Sequence, residues 1–247
     1  MPGFVHASFE GKREFWYHVL DPDENKIGYY TYQIVPLENT SSDTTLIEAE
    51  IHFEIKKFTF TLFKYDYRDS VRLIDRRLDY YLIEENKNGD KRRVEARSDR
   101  GKLLIAIRDN SGNSTVSING SDFDISMFHL RLPARVEAVD FKEEKLVKML
   151  IPLEGKIKQY RYGASKREKV DWNGGSVDIV IVNSKAEDDE TVSWIDPQGV
   201  TIYLKTKAYS LALTTKEKAL ATGTSPSSSW GQGFGQSMEI SPNVDTK

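Results

Sequence analysis

Residues 44–67 read TTLIEAEIHFEIKKFTFTLFKYDY. In the first half, Ile47, Ala49, Ile51, Phe53 and Ile55 alternate with Glu48, Glu50, His52 and Glu54. Successive side chains of a strand point to opposite faces, so this is a long strand with one dry face and one wet face. After Lys56-Lys57, Phe58, Phe60 and Leu62 share a phase that then flips to Phe63, Tyr65 and Tyr67. A one-residue change of phase needs a bulge or burial on both faces. Two strands of this length form the spine of a large antiparallel sheet.

Working outward, Phe15–Leu20 and Ile27–Val35 are strand-forming runs joined by the turn residues Asp21-Pro22-Asp23-Glu24-Asn25-Lys26. Downstream, Val71–Glu84, Lys91–Arg97, Leu103–Ile107 and Thr115–Ile118 continue a meander with Asn-Gly and Asn-rich turns between them. Ser121–Arg135 breaks the rhythm. Phe123, Met127, Phe128 and Leu130–Leu132 fall near helical spacing, with Ser121 or Asp122 to cap and Pro133 to stop, which predicts a short helix or helical turn lying on the sheet or plugging one end. Strands resume from Leu146. Val177–Val182 is apolar in both phases except at Asp178, the mark of a strand covered on both sides. Thr191–Ile195, Val200–Lys205 and a final strand through Tyr209, Leu211 and Leu213 close the body. The fold class is all-β: a curved antiparallel sheet of about a dozen strands with one short helix, as a half-barrel, barrel or sandwich. The domain reading is an N-terminal segment over residues 1–13, one β domain over 14–221, and a Ser/Gly/Thr-rich disordered tail over 222–247.

Composition excludes several functions. With no cysteine there is no disulfide, thiolate metal site or cysteine nucleophile. Interspersed charges, 35 basic against 38 acidic, give no electrostatic reason to expect a nucleic acid. No run reaches the roughly 18 apolar residues of a membrane helix. Val5-His6-Ala7 before Ser8 has the small-residue pattern of a signal-peptidase site without a full apolar segment ahead of it, consistent with a clipped signal or an ordinary N-terminus.

No catalytic constellation stands out. The histidines His6, His18, His52 and His129 are scattered, and no metal or cofactor is expected. His52 between Glu50 and Glu54 is the nearest approach to a metal site, and a solvated strand face is the plainer reading. Asp75, Arg77 and Asp79 share a strand face and could line a polar pocket, although cross-strand charge pairing on an exposed face is the plainer reading. Gly231-Gln232-Gly233-Phe234-Gly235 resembles a nucleotide loop only in letters, since no strand precedes it and no helix follows. The aromatic residues are the stronger signal. If the sheet curls, Phe58, Phe60, Phe63, Tyr65, Phe123, Phe128, Trp172 and Trp194 are the candidates to line an apolar cavity, or else they fill a core.

Three segments carry a resemblance: WYHVLDPDENKIGYY from Trp16, SDFDISMFHLRLP from Ser121, and VSWIDPQGVTIYLKTKAYSLAL from Val192. Over residues 14–215 the chain resembles exported bacterial β proteins of an uncharacterised family, a domain of unknown function. The resemblance implies a curved antiparallel sheet and a periplasmic or envelope location, and it brings no catalytic residues. Three readings follow. One is a non-enzymatic envelope protein that binds an apolar ligand such as a lipid, or chaperones an envelope protein. The second is a structural or interaction module with a filled core, acting through a sheet edge or the tail. The third is an enzyme with its site inside the β cavity.

Overall fold

The computed structural model describes residues 11–37, 43–57, 60–133, 144–187 and 189–221. Tight turns set its strands. Asn88-Gly89 (φ 54° and 96°) and Asn173-Gly174 (φ 50° and 79°) adopt the left-handed backbone that two-residue hairpin loops require. Asp75-Arg76 makes the same turn without glycine, at φ 48° and 62°. Between such turns lie β1 (Arg13–Leu20), β2 (Lys26–Leu37), β3 (Thr44–Lys57), β4 (Phe60–Ile74), β5 (Arg77–Lys87), β6 (Asp90–Asp99), β7 (Lys102–Asp109) and β8 (Gly112–Asn119). A second series comprises β9 (Ile125–Ser126), β10 (Lys145–Ile151), β11 (Lys156–Trp172), β12 (Gly175–Ala186), β13 (Asp189–Ile195), β14 (Thr201–Lys205) and β15 (Ser210–Thr214).

Within each series every strand pairs with its sequence neighbour. The two series join where β1 runs antiparallel to β15, with Tyr17 opposite Leu213. The result is one sheet of fifteen strands among the described residues, in the order β8-β7-β6-β5-β4-β3-β2-β1-β15-β14-β13-β12-β11-β10-β9. All pairs are antiparallel except the short β9, which lies parallel to β10. The sheet curls but does not close, leaving β8 and β9 as its edges. The all-β class and the curved antiparallel sheet are therefore as expected, with more strands than the dozen counted from pattern.

The concave inner face carries the main core. Tyr17 and Val19, Tyr30, Tyr32 and Ile34, Ile47 and Ala49, Val71 and Leu73, Tyr81 and Ile83, and Leu103, Ile105 and Ile107 pack together there. Each buried aliphatic or aromatic side chain is worth about 1.5–3 kcal/mol relative to exposure. The phase change in the spine is a bulge: Ile55 faces Phe63 and Lys56 faces Thr61, so Leu62 has no partner across the ladder. β12 is covered on both faces, Val180 and Val182 by Tyr162 and Ile195, Ile179 and Ile181 by Ile202 and Trp194.

Two expectations need correction in part. The segment from Ser121 takes the helical-turn form and makes no α-helix, and its cap lies elsewhere. Ile125-Ser126 pairs with β10, and a 3-10 turn over Met127–Arg131 follows with Ser126, not Ser121 or Asp122, at its N-cap. Of its apolar residues Phe128 is buried while Met127 and Leu130 are exposed, so there is no continuous stripe to hold a helix down. The short helix is instead α1 (Lys216–Leu220), capped by the Thr215 side chain, with Ala219 seated on Trp16 and Tyr29. The second correction concerns the outer face of β3. Glu50 there is only 6% exposed, because Tyr29 of β2 and Arg68 of β4 close over its carboxylate.

Candidate functional site

Strand β4 keeps one phase through Tyr65, Tyr67, Asp69, Val71 and Leu73, which sends a carboxylate into the apolar interior. Asp69 lies opposite Ala49, whose small side chain leaves room above it. The room is taken by Arg131, from the 3-10 turn. Its guanidinium grips Asp69 with both arms, Nη1 to Oδ1 and Nη2 to Oδ2 at 2.6 Å each, and its Nε donates to the Tyr30 hydroxyl at 2.8 Å. The Asp69 side chain is 0% exposed and that of Arg131 13%. Arg131 also lies over the rings of Phe128 and Tyr30. Burial is the largest single influence and lowers the Arg131 pKa, but the Asp69 charge and hydrogen bonds together with Tyr30 and Tyr67 outweigh it and hold the value well above the ordinary one.

Neighbouring phenols extend this network. Tyr17 donates to the Thr201 carbonyl at 2.8 Å and touches the Tyr32 hydroxyl at 3.4 Å. Burial pushes the Tyr32 phenol up to about 12 and raises Tyr17, Tyr30 and Tyr67 as well, so all stay neutral. His129 anchors the turn from behind. Its Nε2 contacts the Arg76 carbonyl at 2.9 Å, and its Nδ1 accepts from the Ser126 N–H at 3.1 Å, a pattern that fits the neutral Nε2–H tautomer. Chemically this is a clasp: the carboxylate, guanidinium and phenols satisfy one another.

The sequence candidates fall into separate groups. Phe63 and Tyr65 join Phe53, with ring centroids 5.7 and 5.2 Å away, and Tyr209 completes a half-buried aromatic rim. The Tyr65 hydroxyl donates to Glu85 at 2.8 Å. Phe60 stands on the hairpin beyond this rim, 72% exposed. Phe123 and Phe128 pack on the main core, Phe128 against Tyr81. Trp172 and Trp194 gather with Tyr203 on the β11–β14 side of the sheet. Phe58, Val5-His6-Ala7 and the tail from Thr222 lie outside the described residues. The Arg131–Asp69 pair escaped sequence reasoning, and its one local signal is the aspartate continuing an otherwise apolar phase.

On the outer face charges pair across strands. Glu50, Arg68, Glu84, Arg93 and Arg108 stand in register along one row from β3 to β7, flooring an open groove. Arg93 meets Glu84 at 2.6 Å and His52 meets Asp66 at 2.5 Å. Asp75 sits in the β4–β5 turn, while Asp79 binds Arg72 across the strands at 2.5 Å. Among the described residues no group of three or more His, Asp or Glu side chains converges to hold a metal ion.

A family model described as a domain of unknown function (DUF6134) matches residues 17–215. The chain belongs to the DUF6134 family. This DUF6134 protein is similar in fold to a β-barrel-like protein of domain of unknown function DUF1849 from Brucella abortus. The TM-score is 0.56 at 10% identity, covering 85% of this chain and 98% of that one. A DUF1089 family protein from Pseudomonas aeruginosa aligns over 80% of this chain and 91% of its own at 15% identity, with a TM-score of 0.35. No curated protein matches the chain. Among the described residues no helix is long and apolar enough to cross a membrane.

Proposed function

We propose that this DUF6134 protein is a non-enzymatic binding module of the cell envelope, whose curled sheet with its filled core is a rigid frame for recognition on its surface. The observation that carries this reading is the Arg131 fork on Asp69. It occupies the interior where a carrier would hold its cargo. The residues around it, among them Ile34, Ile47, Ala49, Tyr81 and Phe128, are 0–2% exposed, so water-sized space at those positions is lacking. The same clasp speaks for binding rather than catalysis, since its carboxylate is held by two charge-assisted hydrogen bonds and its phenols are kept neutral. An envelope protein is a fitting partner, and the open groove over Glu84, Arg93 and Arg108 offers it paired charges to exchange.

A second reading keeps the apolar ligand but moves it. Phe53, Phe63, Tyr65 and Tyr209 form an aromatic rim that is half-buried, and an acyl chain could lie across it without entering the core. Native mass spectrometry of protein purified from its own host separates the two. The filled-frame reading expects the mass of the bare chain. A stoichiometric lipid-sized addition that disappears in Phe53→Ala would favour the rim, and one that survives that change but disappears in Ala49→Trp would place a ligand inside and overturn the filled frame.

A further inference from the structure

Hairpin β3–β4 outruns the sheet around it. β2 accompanies β3 only as far as Phe53, opposite Gly28, and β5 joins β4 only from Tyr65, opposite Lys87. Beyond those rungs Glu54–Lys57 and Phe60–Phe63 pair with each other and with no other strand, while Asn88 of the β5–β6 turn still holds the Lys64 backbone at 2.7 and 2.9 Å. At about 3.3 Å per residue this bare ribbon extends roughly 10–13 Å past its neighbours. Such a ribbon is marginal in water by itself, yet it carries Phe60 at 72%, Leu62 at 59% and Ile55 at 40% exposure. Cations accompany them: the Lys56 and Lys64 side chains are 59% and 48% exposed. Each lysine contacts one acid, Lys56 with Glu54 at 2.7 Å and Lys64 with Asp66 at 3.5 Å, and the other Asp66 oxygen meets His52 at 2.5 Å; both lysine side chains keep about half or more of their surface in solvent.

We propose that this ribbon seats the protein on the surface of an anionic phospholipid bilayer. Phe60, Leu62 and Ile55 enter the boundary between headgroups and acyl chains, while Lys56 and Lys64 meet the phosphates. The length of the ribbon suits the ~5–10 Å depth at which amphipathic elements lie in an interface. Its outer rungs, which bring apolar and cationic side chains together, complement a fluid charged surface. Lysines along its free edges oppose the alternative, pairing with a strand of another protein. The proposal goes beyond the filled-frame reading and does not depend on it.

The test is flotation of the full chain with vesicles of phosphatidylcholine containing phosphatidylglycerol, and with phosphatidylcholine alone. The wild-type protein should float with the anionic vesicles. Each large apolar side chain buried is worth about tenfold or more in partition, so F60S/L62S should bind about a hundredfold more weakly. Lys56→Gln with Lys64→Gln should lose about fivefold per lysine on anionic vesicles and little on neutral ones. Because the chain has no cysteine, Phe60→Cys carries a single environment-sensitive dye, whose emission should shift to the blue when anionic vesicles are added. Failure of the wild type to float, equal flotation of F60S/L62S with an unchanged circular dichroism spectrum, or a dye spectrum indifferent to vesicles would each overturn the proposal. If the serine variant does not fold, the dye reading decides alone.

Discussion

Removing one side of the Arg131–Asp69 clasp should be among the most costly single changes in this protein. Asp69 is fully buried, and both its oxygens accept charge-assisted bonds at 2.6 Å. Asp69→Leu leaves a guanidinium inside an apolar face with the Tyr30 hydroxyl as its remaining hydrogen-bond partner among the described residues. Breaking a buried pair in this way costs about 3–5 kcal/mol, because the surviving charge is uncompensated. For a chain of this size each kcal/mol lowers the melting temperature by about 2–4 °C, so the expected fall is about 6–20 °C. Arg131→Met alone should cost a similar amount. The double change Asp69→Leu with Arg131→Met removes both charges and fills the space, and should return most of the loss or even exceed wild-type stability by about 1–4 kcal/mol. Urea unfolding followed by tryptophan fluorescence and by circular dichroism gives the four corners of the cycle, with coincident transitions as the check on two-state behaviour. Single changes that each cost less than about 1 kcal/mol, or a double that costs their sum, would refute the clasp.

Glu50→Ala should cost about 1–3 kcal/mol by stripping the buried Tyr29 hydroxyl of its acceptor, whereas Glu84→Ala, 54% exposed in a surface pair with Arg93, should cost under about 1 kcal/mol; equal losses in thermal unfolding would contradict the burial of Glu50. Gly28→Ala should destabilise by about 1–3 kcal/mol or more, since a Cβ there would fall 2.0 Å from the His52 carbonyl oxygen and 2.5 Å from the Phe53 Cβ; a melting temperature unchanged within error would mean the strands separate freely at that rung. Burial lowers the His129 pKa, so the unfolded chain takes up its proton more readily than the folded one. Its contribution is whole above the ordinary imidazole value of about 6.5 and is lost as pH falls from there toward the folded value. His18, lowered by burial and by Lys26 and Lys218, acts in the same sense, so the measurement is the difference between wild type and His129→Gln, whose stability should fall less steeply between about pH 6.5 and 5. Identical slopes would remove His129 from the account.

The strands of this sheet were legible because period-two alternation is a local property. Ile47, Ala49, Ile51 and Phe53 lie on the inner face as their spacing requires, and the change of phase after Lys57 is a real bulge. Alternation says which side chains share a face and nothing of what covers that face. For that reason Glu50 reads as wet from its neighbours in sequence and is dry from its neighbours in space. Asp69 and Arg131 are separated by 62 positions, and no local pattern links a strand aspartate to an arginine beyond an irregular segment. The aromatic candidates were visible as aromatics, but their division into a rim, a core group and a tryptophan group follows from strand order. Strand order in turn depends on the pairing of β1 with β15, which short-range pattern does not reveal.

That pairing also constrains how the chain can reach its native state. Nearly every other ladder is a hairpin between consecutive strands and can zip up as the chain leaves the ribosome, with little loop entropy to overcome. The β1–β15 ladder brings Trp16 to Thr214, so it waits until the last strand has been made. Until then the hydrogen-bonding edge of β1 faces solvent, with Trp16, Tyr17 and Val19 beside it, and an open apolar edge is a template for another chain. The nascent sheet thus carries an open apolar edge on its first strand while all the others are being made, and the strand that quenches it is the last of the fifteen described.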